Sequence, residues 1–293
     1  NNLKQIGLAV HNFESTKGFL PPNGSITPLN NAILEYPAHF YSVLVRILPY
    51  VEQGPLYSQV DFAAPSIQPA ISRTRIGLYI CPSEPNDRLS AGPPLQYPGY
   101  PVGYPATYGP AEGDWFVWSF RDQIGGNGAF PEVPYPKEVG IRLDDITDGM
   151  STTIGFGEVK AFWPCVGYLG VVPATPPNSP AALVSLVDEF LAECRHTAWT
   201  AGDSQVTGLT FVFPPNTSML FANRQDGRTY DIDWHRAGSV HYAANTARSY
   251  HPGGVNALFM DGSVHFISNA IPQATWRALG TRNGGEVVDT SGF

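Results

Sequence analysis

The sequence predicts an α+β fold with an N-terminal helix, an antiparallel β-sheet and long Pro-, Gly- and Tyr-rich loops. Three observations predict it. The chain opens on helical periodicity, continues mostly in short apolar and β-branched runs, and punctuates those runs with 30 Gly and 28 Pro. A helix followed by strands in series, with no internal repeat, points to helices segregated to one side of a sheet. One domain over residues 1–293 is expected, a length that can bury a large core.

The first element covers residues 1–18, NNLKQIGLAVHNFESTKG. Leu3, Ile6, Val10 and Phe13 are spaced three, four and three, which places them on one helical stripe. Gly18 is the expected C′ residue, and Pro21-Pro22 stop the helix beyond it. The pattern starts in mid-helix without an N-cap, as expected of a processed or truncated product. Residues 39–57 read as a buried helix kinked at Pro49 that exits at Gly54-Pro55. Residues 74–85, TRIGLYICPSEP, read as a buried strand closed by Cys-Pro.

Residues 91–140 show neither helical nor strand period, and a loop of that length is a candidate interaction surface. Tyr97, Tyr100, Tyr104, Tyr108, Trp115 and Trp118 are its interface or ligand candidates. Residues 141–159 turn at Asp148-Gly149 and run on as a strand, TTIGFGEV. Residues 180–195 read as a second clear helix, and 209–215 and 219–222 as strands. Residues 255–267 give the cleanest hairpin, two apolar runs meeting at Asp261-Gly262 in an expected type I′ turn. A short helix over 272–279 closes the chain.

Composition narrows the function classes. Charged residues make up 14% of the chain, against roughly 25% in an ordinary globular domain. That is ordinary for an exported, loop-rich protein. The net charge is −8 and no basic run occurs, so nucleic acid and anionic membrane surfaces are poor partners. No stretch of about 20 apolar residues exists. Three cysteines leave room for one bridge, and Cys165–Cys194 is the favoured pair; three buried free thiols are the alternative.

Five segments, in order from residue 1 to about 270, resemble the large prepilin-like proteins abundant in planctomycetes, which carry a C-terminal domain of unknown function. They are NNLKQIGLAVHNFESTKGFLPP, LPYVEQGPLY (48–57), ICPSEP (80–85), RLDDITDGMSTTIGFGEV and HPGGVNALFMDGSVHFI. The last holds a box of His, nine residues, then Asp-Gly: His251, Gly253, Gly254, Asn256, Asp261 and Gly262. The leader and apolar anchor helix of such proteins are not among these residues, so a membrane would be reached only through a helix outside this chain. The resemblance implies a pilin-like fold, with the N-terminal helix packed on the antiparallel sheet and loops decorating the edges, export to the cell surface or beyond, and a role in a filament, tube or secretion pseudopilus.

Candidate chemistry is sparse. His235, His241, His251 and His265 fall within about 30 residues and imidazoles gather zinc, yet no H-E-x-x-H or i, i+4 pair occurs. Calcium is the better metal candidate, on Asp144, Asp145 and Asp148, or on Asp226, Asp231 and Asp233 around Gly227. Residues 201–205, AGDSQ, resemble the Gly-Asp-Ser block of some esterases but stand too late in the chain, and G-x-S-x-G is absent. No catalytic residues are expected. The leading expectation is a self-assembling structural protein and homo-oligomer. The alternative is a binding module for a glycan or small ligand, with Trp115, Trp118 and Trp163 as aromatic platforms.

Overall fold

The computed structural model describes residues 1–26, 41–64, 68–91, 103–136, 138–204, 206–236 and 238–288. It is an α+β structure, mostly sheet with few helices. Helix α1 (Asn2–Lys17) buries Leu3, Ile6, Val10 and Phe13 on one face, as their spacing requires. It ends at Gly18, whose φ of 77° is left-handed and whose N–H bonds back to the Glu14 carbonyl. That conformation costs an L side chain about 1–2 kcal/mol. Gly18→Ala is therefore expected to lower the urea midpoint by about that free energy, since open space around the site leaves only the backbone cost.

Strand β1 (Ser25–Ile26) is followed by three one-turn helices, α2 (Val43–Arg46), α3 (Gly54–Tyr57) and α4 (Pro69–Ser72). The single kinked helix expected across 39–57 is thus several short pieces, with a 3-10 turn at Leu48–Tyr50 where Pro49 removes a donor. The strand expected in 74–85 is instead a 3-10 turn, Gly77–Tyr79, followed by a tight turn in which the Glu84 N–H bonds to the Cys81 carbonyl. Tyr79 anchors it by donating its hydroxyl to the Leu44 carbonyl at 2.7 Å.

The region expected to be one long loop holds β2 (Tyr108–Gly113), β3 (Phe116–Ser119), β4 (Ile124–Gly125) and β5 (Val133–Pro134). Its Gly and Tyr obscure the strand period but do not prevent pairing. Then come β6 (Ile154–Glu158), β7 (Trp163–Tyr168), β8 (Glu189–Arg195), β9 (Leu209–Thr210), β10 (Leu220–Ala222), β11 (Thr229–Asp231), β12 (Asp233–Arg236), β13 (Val240–Ala244), β14 (Gly254–Phe259) and β15 (Val264–Ser268). Helix α5 (Gln273–Leu279) follows.

Residues 180–195 correct the second-helix expectation. Only Pro180–Ala182 make a 3-10 turn, and the Ala-, Leu- and Glu-rich remainder pairs as β8 against β7. Cys194 is joined to Cys165 of β7 by a disulfide, with Cα atoms 5.7 Å apart. Ladder pairing and burial of Leu191 outweigh a helix preference of tenths of a kcal/mol per residue. The strand expected over 209–215 shrinks to two residues ahead of Pro214-Pro215.

Two sheets dominate, of order β4-β3-β13-β12-β7-β8 and β15-β14-β6-β2-β9. Both are mixed rather than antiparallel, because β12 runs parallel to β7 and β9 parallel to β2. The 64 residues between β7 and β12 and the 95 between β2 and β9 are long enough for crossovers. The β14–β15 hairpin forms as expected, but its turn is not type I′. Only Gly262 has positive φ, and the Gly262 N–H bonds to the Phe259 carbonyl.

Alternation along the five-stranded sheet sorts its two faces. Val255, Ala257 and Phe259 pack toward Trp276 and Leu279 of α5, and Ile154 joins them because the ladder shifts register between Leu258 and Phe259. Leu258 and Phe156 pack toward α1. Period two then assigns Asn256 and Glu158 to the α1 face as well.

Candidate metal centre

Three remote segments meet at that edge of the α1 face. Cys81 leaves the 3-10 turn with its N–H on Thr107 Oγ1 at 2.5 Å. Asn2, at the start of α1, donates its side-chain amide to the Ile80 carbonyl at 2.9 Å. Glu84 pins the same segment by accepting from the Ala161 N–H at 3.1 Å. Glu158 ends β6 and is almost fully buried. Its Oε2 accepts the Asn256 N–H at 2.7 Å and its Oε1 the Asn256 side-chain amide at 3.1 Å. His251 arrives on the loop before β14, held by its N–H on Ser249 Oγ at 3.1 Å.

The donor atoms converge. His251 Nε2 is 3.2 Å from Glu158 Oε1, Cys81 Sγ is 3.6 Å from the same oxygen, and Cys81 Sγ is 3.6 Å from His251 Nε2. Cys81 is the free cysteine of the chain and is buried. The His251 side chain is 32% exposed, so the cluster opens to solvent on that side. Burial raises the Cys81 thiol above its ordinary value, against a backbone hydrogen bond from Ser83, and the nearby Glu158 carboxylate adds to the rise.

This geometry does not suit a thiol–imidazole–carboxylate relay. In such a relay the nucleophile and the orienting acid engage opposite ring nitrogens. Here both sit at Nε2, and the thiol is held protonated rather than activated. One sulfur, one imidazole nitrogen and one carboxylate oxygen facing a common point form a set that could hold a metal ion. Among the described residues, no other group of three His, Cys, Asp or Glu brings its ligand atoms within 4.8 Å of one another.

Residues 1–274 match the model of the family SBP_bac_10, described as a protein of unknown function (DUF1559). The chain belongs to this family. No curated protein and no solved structure matches it.

In this family member the predicted His-to-Asp-Gly box divides between two tasks. His251 and Asn256 reach the centre, and Gly253 and Gly254 shape the approach, a side chain at Gly254 being blocked by the Ile267 carbonyl. Asp261 and Gly262 lie at the hairpin turn instead. There Asp261 Oδ1 accepts from Ser263 N–H at 2.8 Å, and Lys4 donates to the Gly262 carbonyl at 2.8 Å. Cys81 and Glu158 were not singled out by sequence reasoning. Their signals were an odd cysteine in ICPSEP and a lone acid ending the apolar run TTIGFGE.

The other candidates fall elsewhere. The histidines do not gather: His235 lies beside Arg195 with Nδ1 to Nη2 at 3.1 Å, His241 meets the Phe120 ring edge-on, and His265 bonds Ser263. The aspartates do not converge either. Asp148 accepts the Gly284 and Gly285 N–H groups, Asp145 caps its own turn through Arg142 N–H, and Asp144 stays apart. Asp231 and Asp233 are engaged by Arg248, while Asp226 accepts from Tyr230.

Trp115 and Trp118 correct the aromatic-surface expectation, being 1% and 0% exposed. Trp115 stacks on Trp234 at 5.6 Å, and Trp118 sits edge-on to Phe120. Tyr108 is buried beside the centre, its hydroxyl raised by burial and within hydrogen-bonding reach of Asn2 and Cys81. Tyr104 donates to Asp87 at 2.8 Å. Tyr97 and Tyr100 lie outside the described residues. Trp163 lies under the Lys160 and Arg248 cations. Large aromatic area is worth more in a core than on a loop, which is where these tryptophans went.

Proposed function

We propose that the protein is an exported, pilin-like surface protein that assembles with copies of itself into a filament, tube or secretion-related structure. The observation that carries this reading is the placement of α1. Its apolar stripe lies on β14 and β6, while Leu8 projects from the other side with 63% of its surface exposed. A helix laid on a sheet with an apolar side chain facing outward is suited to packing against a neighbouring copy. The Cys165–Cys194 disulfide supports export, since such bonds persist in oxidising compartments. No helix among the described residues is long and apolar enough to cross a membrane.

Negative-stain microscopy of native envelope material, with the protein located by antibody, tests this reading. Ordered assemblies are expected, and Leu8→Lys is expected to disperse them without changing the monomer's melting temperature by more than about 2 °C. Dispersed monomers at high concentration in both forms would overturn it.

A further inference from the structure

We propose that Cys81, Glu158 and His251 bind a divalent transition-metal cation of the zinc class, a function separate from assembly. The separations among the three donor atoms are 3.6, 3.6 and 3.2 Å. Around a tetrahedral zinc, bonds of about 2.3 Å to sulfur and about 2.0–2.1 Å to nitrogen and oxygen place sulfur about 3.5 Å from each of the other two ligands, and nitrogen about 3.3 Å from oxygen, by the tetrahedral angle. The triangle in the protein therefore needs shifts of only about a tenth of an ångström to take the ion.

Hydrogen bonding alone accounts poorly for the cluster. Glu158 Oε1 faces the thiol, the imidazole nitrogen and the Asn256 amide together, and the thiol and the imidazole compete for the same partners. A cation at the common point satisfies all three donors at once. The mixed set also selects the metal: thiolate and imidazole disfavour calcium and magnesium, which take oxygen, whereas sulfur, nitrogen and carboxylate together suit zinc. Loading releases the thiol proton to solvent and leaves Cys81 as the thiolate.

The surrounding bonds resemble the outer support such centres use. Asn256 fixes both oxygens of Glu158, Thr107 fixes the Cys81 backbone, and Ser249 fixes the His251 loop. Three protein ligands leave a fourth position, and the exposed side of His251 gives water access to it. The ligands come from the ICPSEP segment, β6 and the His251 loop, so metal would clamp these three segments, with α1 tied to the first through Asn2.

The test uses the whole chain with its disulfide intact, purified without a metal-binding tag. Zinc content is read by mass spectrometry, and cobalt(II) serves as the spectroscopic probe. One equivalent of zinc is expected to bind, and cobalt is expected to show a thiolate charge-transfer band. Asn256→Ala should weaken zinc binding by about 10–100-fold, and His251→Ala by more than that. Cys81→Ser should abolish the thiolate band. His251 is a partly exposed loop residue, so its variant is expected to stay folded; circular dichroism checks this. The wild-type cobalt spectrum tests the proposal without any variant. A folded wild type that takes up neither metal, or a folded His251→Ala that binds zinc as tightly as wild type, overturns it.

Discussion

Arg248→Met is expected to lower folding stability by about 3–5 kcal/mol, the usual cost of removing one partner from a buried ion pair. The Arg248 side chain is 3% exposed and Asp233 is 1% exposed. The guanidinium reaches Asp231 at 3.1 Å and Asp233 at 3.3 Å, donates to the Ile232 carbonyl, and lies 4.7 Å from the centre of the Trp163 ring. Met fills similar volume, so little of the loss would be cavity. Most would come from leaving Asp233 buried without its paired guanidinium, with only the weaker attraction of Arg195 remaining. Burial already raises the Asp233 pKa, and attraction from Arg248 opposes the rise.

The sign of the pH effect follows. Without Arg248, Asp233 is tolerated only when protonated, so the deficit should shrink toward acid pH and grow toward neutrality. Urea unfolding of wild type and variant checks both points. A loss under about 1 kcal/mol, or one independent of pH, would mean that the pair does not hold β11, β12 and the 248 segment together. Arg248→Lys should recover only part of the loss, since an ammonium cannot reproduce the fork.

The second large effect concerns Glu112 and Glu132, both fully buried. Glu112 Oε1 accepts from the Asn23 amide at 2.7 Å, and Glu132 Oε1 from the Ser204 N–H at 3.0 Å. The second oxygen of each has no hydrogen-bond partner. Burial raises both acids well above the ordinary glutamate value; Asn23 pulls Glu112 back and Asp203 pushes it up, while Glu112 and then Asp203 add to the rise at Glu132. An acid raised in the folded state contributes stability fully present below its unfolded pKa and lost as pH climbs through the folded value. While the folded form keeps a proton that the unfolded form has shed, each acid costs about 1.4 kcal/mol per pH unit.

Two buried histidines, His196 and His235, and the half-buried His241 act oppositely at lower pH. Burial lowers His196 to about 3, His241 to about 4, and His235 well below the ordinary value. Their contribution is present above about pH 6.5 and is lost as pH falls below it. The difference between wild type and Glu132→Gln isolates the acid effect, because the histidines are common to both. Above the unfolded glutamate pKa of about 4.3 the wild type should lose stability relative to Glu132→Gln as pH rises, with a limiting slope of about 1.4 kcal/mol per unit while the folded acid keeps its proton. Wild-type and Glu132→Gln curves that run parallel across this range would refute the assignment.

Local signals in the chain were legible where the structure they specify is local. The Leu3, Ile6, Val10 and Phe13 stripe and the Gly18 stop needed only helical spacing and one permissive residue. The β14–β15 hairpin needed only two apolar runs and a turn, although the Gly262 geometry departs from the expected type. Residues 189–195 misled because Ala, Leu and Glu favour helix weakly and nothing nearby announces a partner strand, although the favoured Cys165–Cys194 pair, which forms, already tied this segment to residue 165. The Trp115 and Trp118 surface was unreadable for a similar reason. A tryptophan in a Gly- and Pro-rich stretch looks the same whether it faces water or stacks on Trp234.

The sequence by itself determined the α+β class, the N-terminal helix with its buried face, and the ordered boxes that mark the family. Each depends on short-range periodicity or on residues read in order. Only the tertiary structure decided that the sheets are mixed, that the aromatic stretch is core, and that Cys81, Glu158 and His251 meet at one point. Those residues stand 77 and 93 positions apart along the chain. Pairwise spacing carries no information at such distances. The pairing of β14 with β6, and α1 anchoring the Ile80 carbonyl, bring them together.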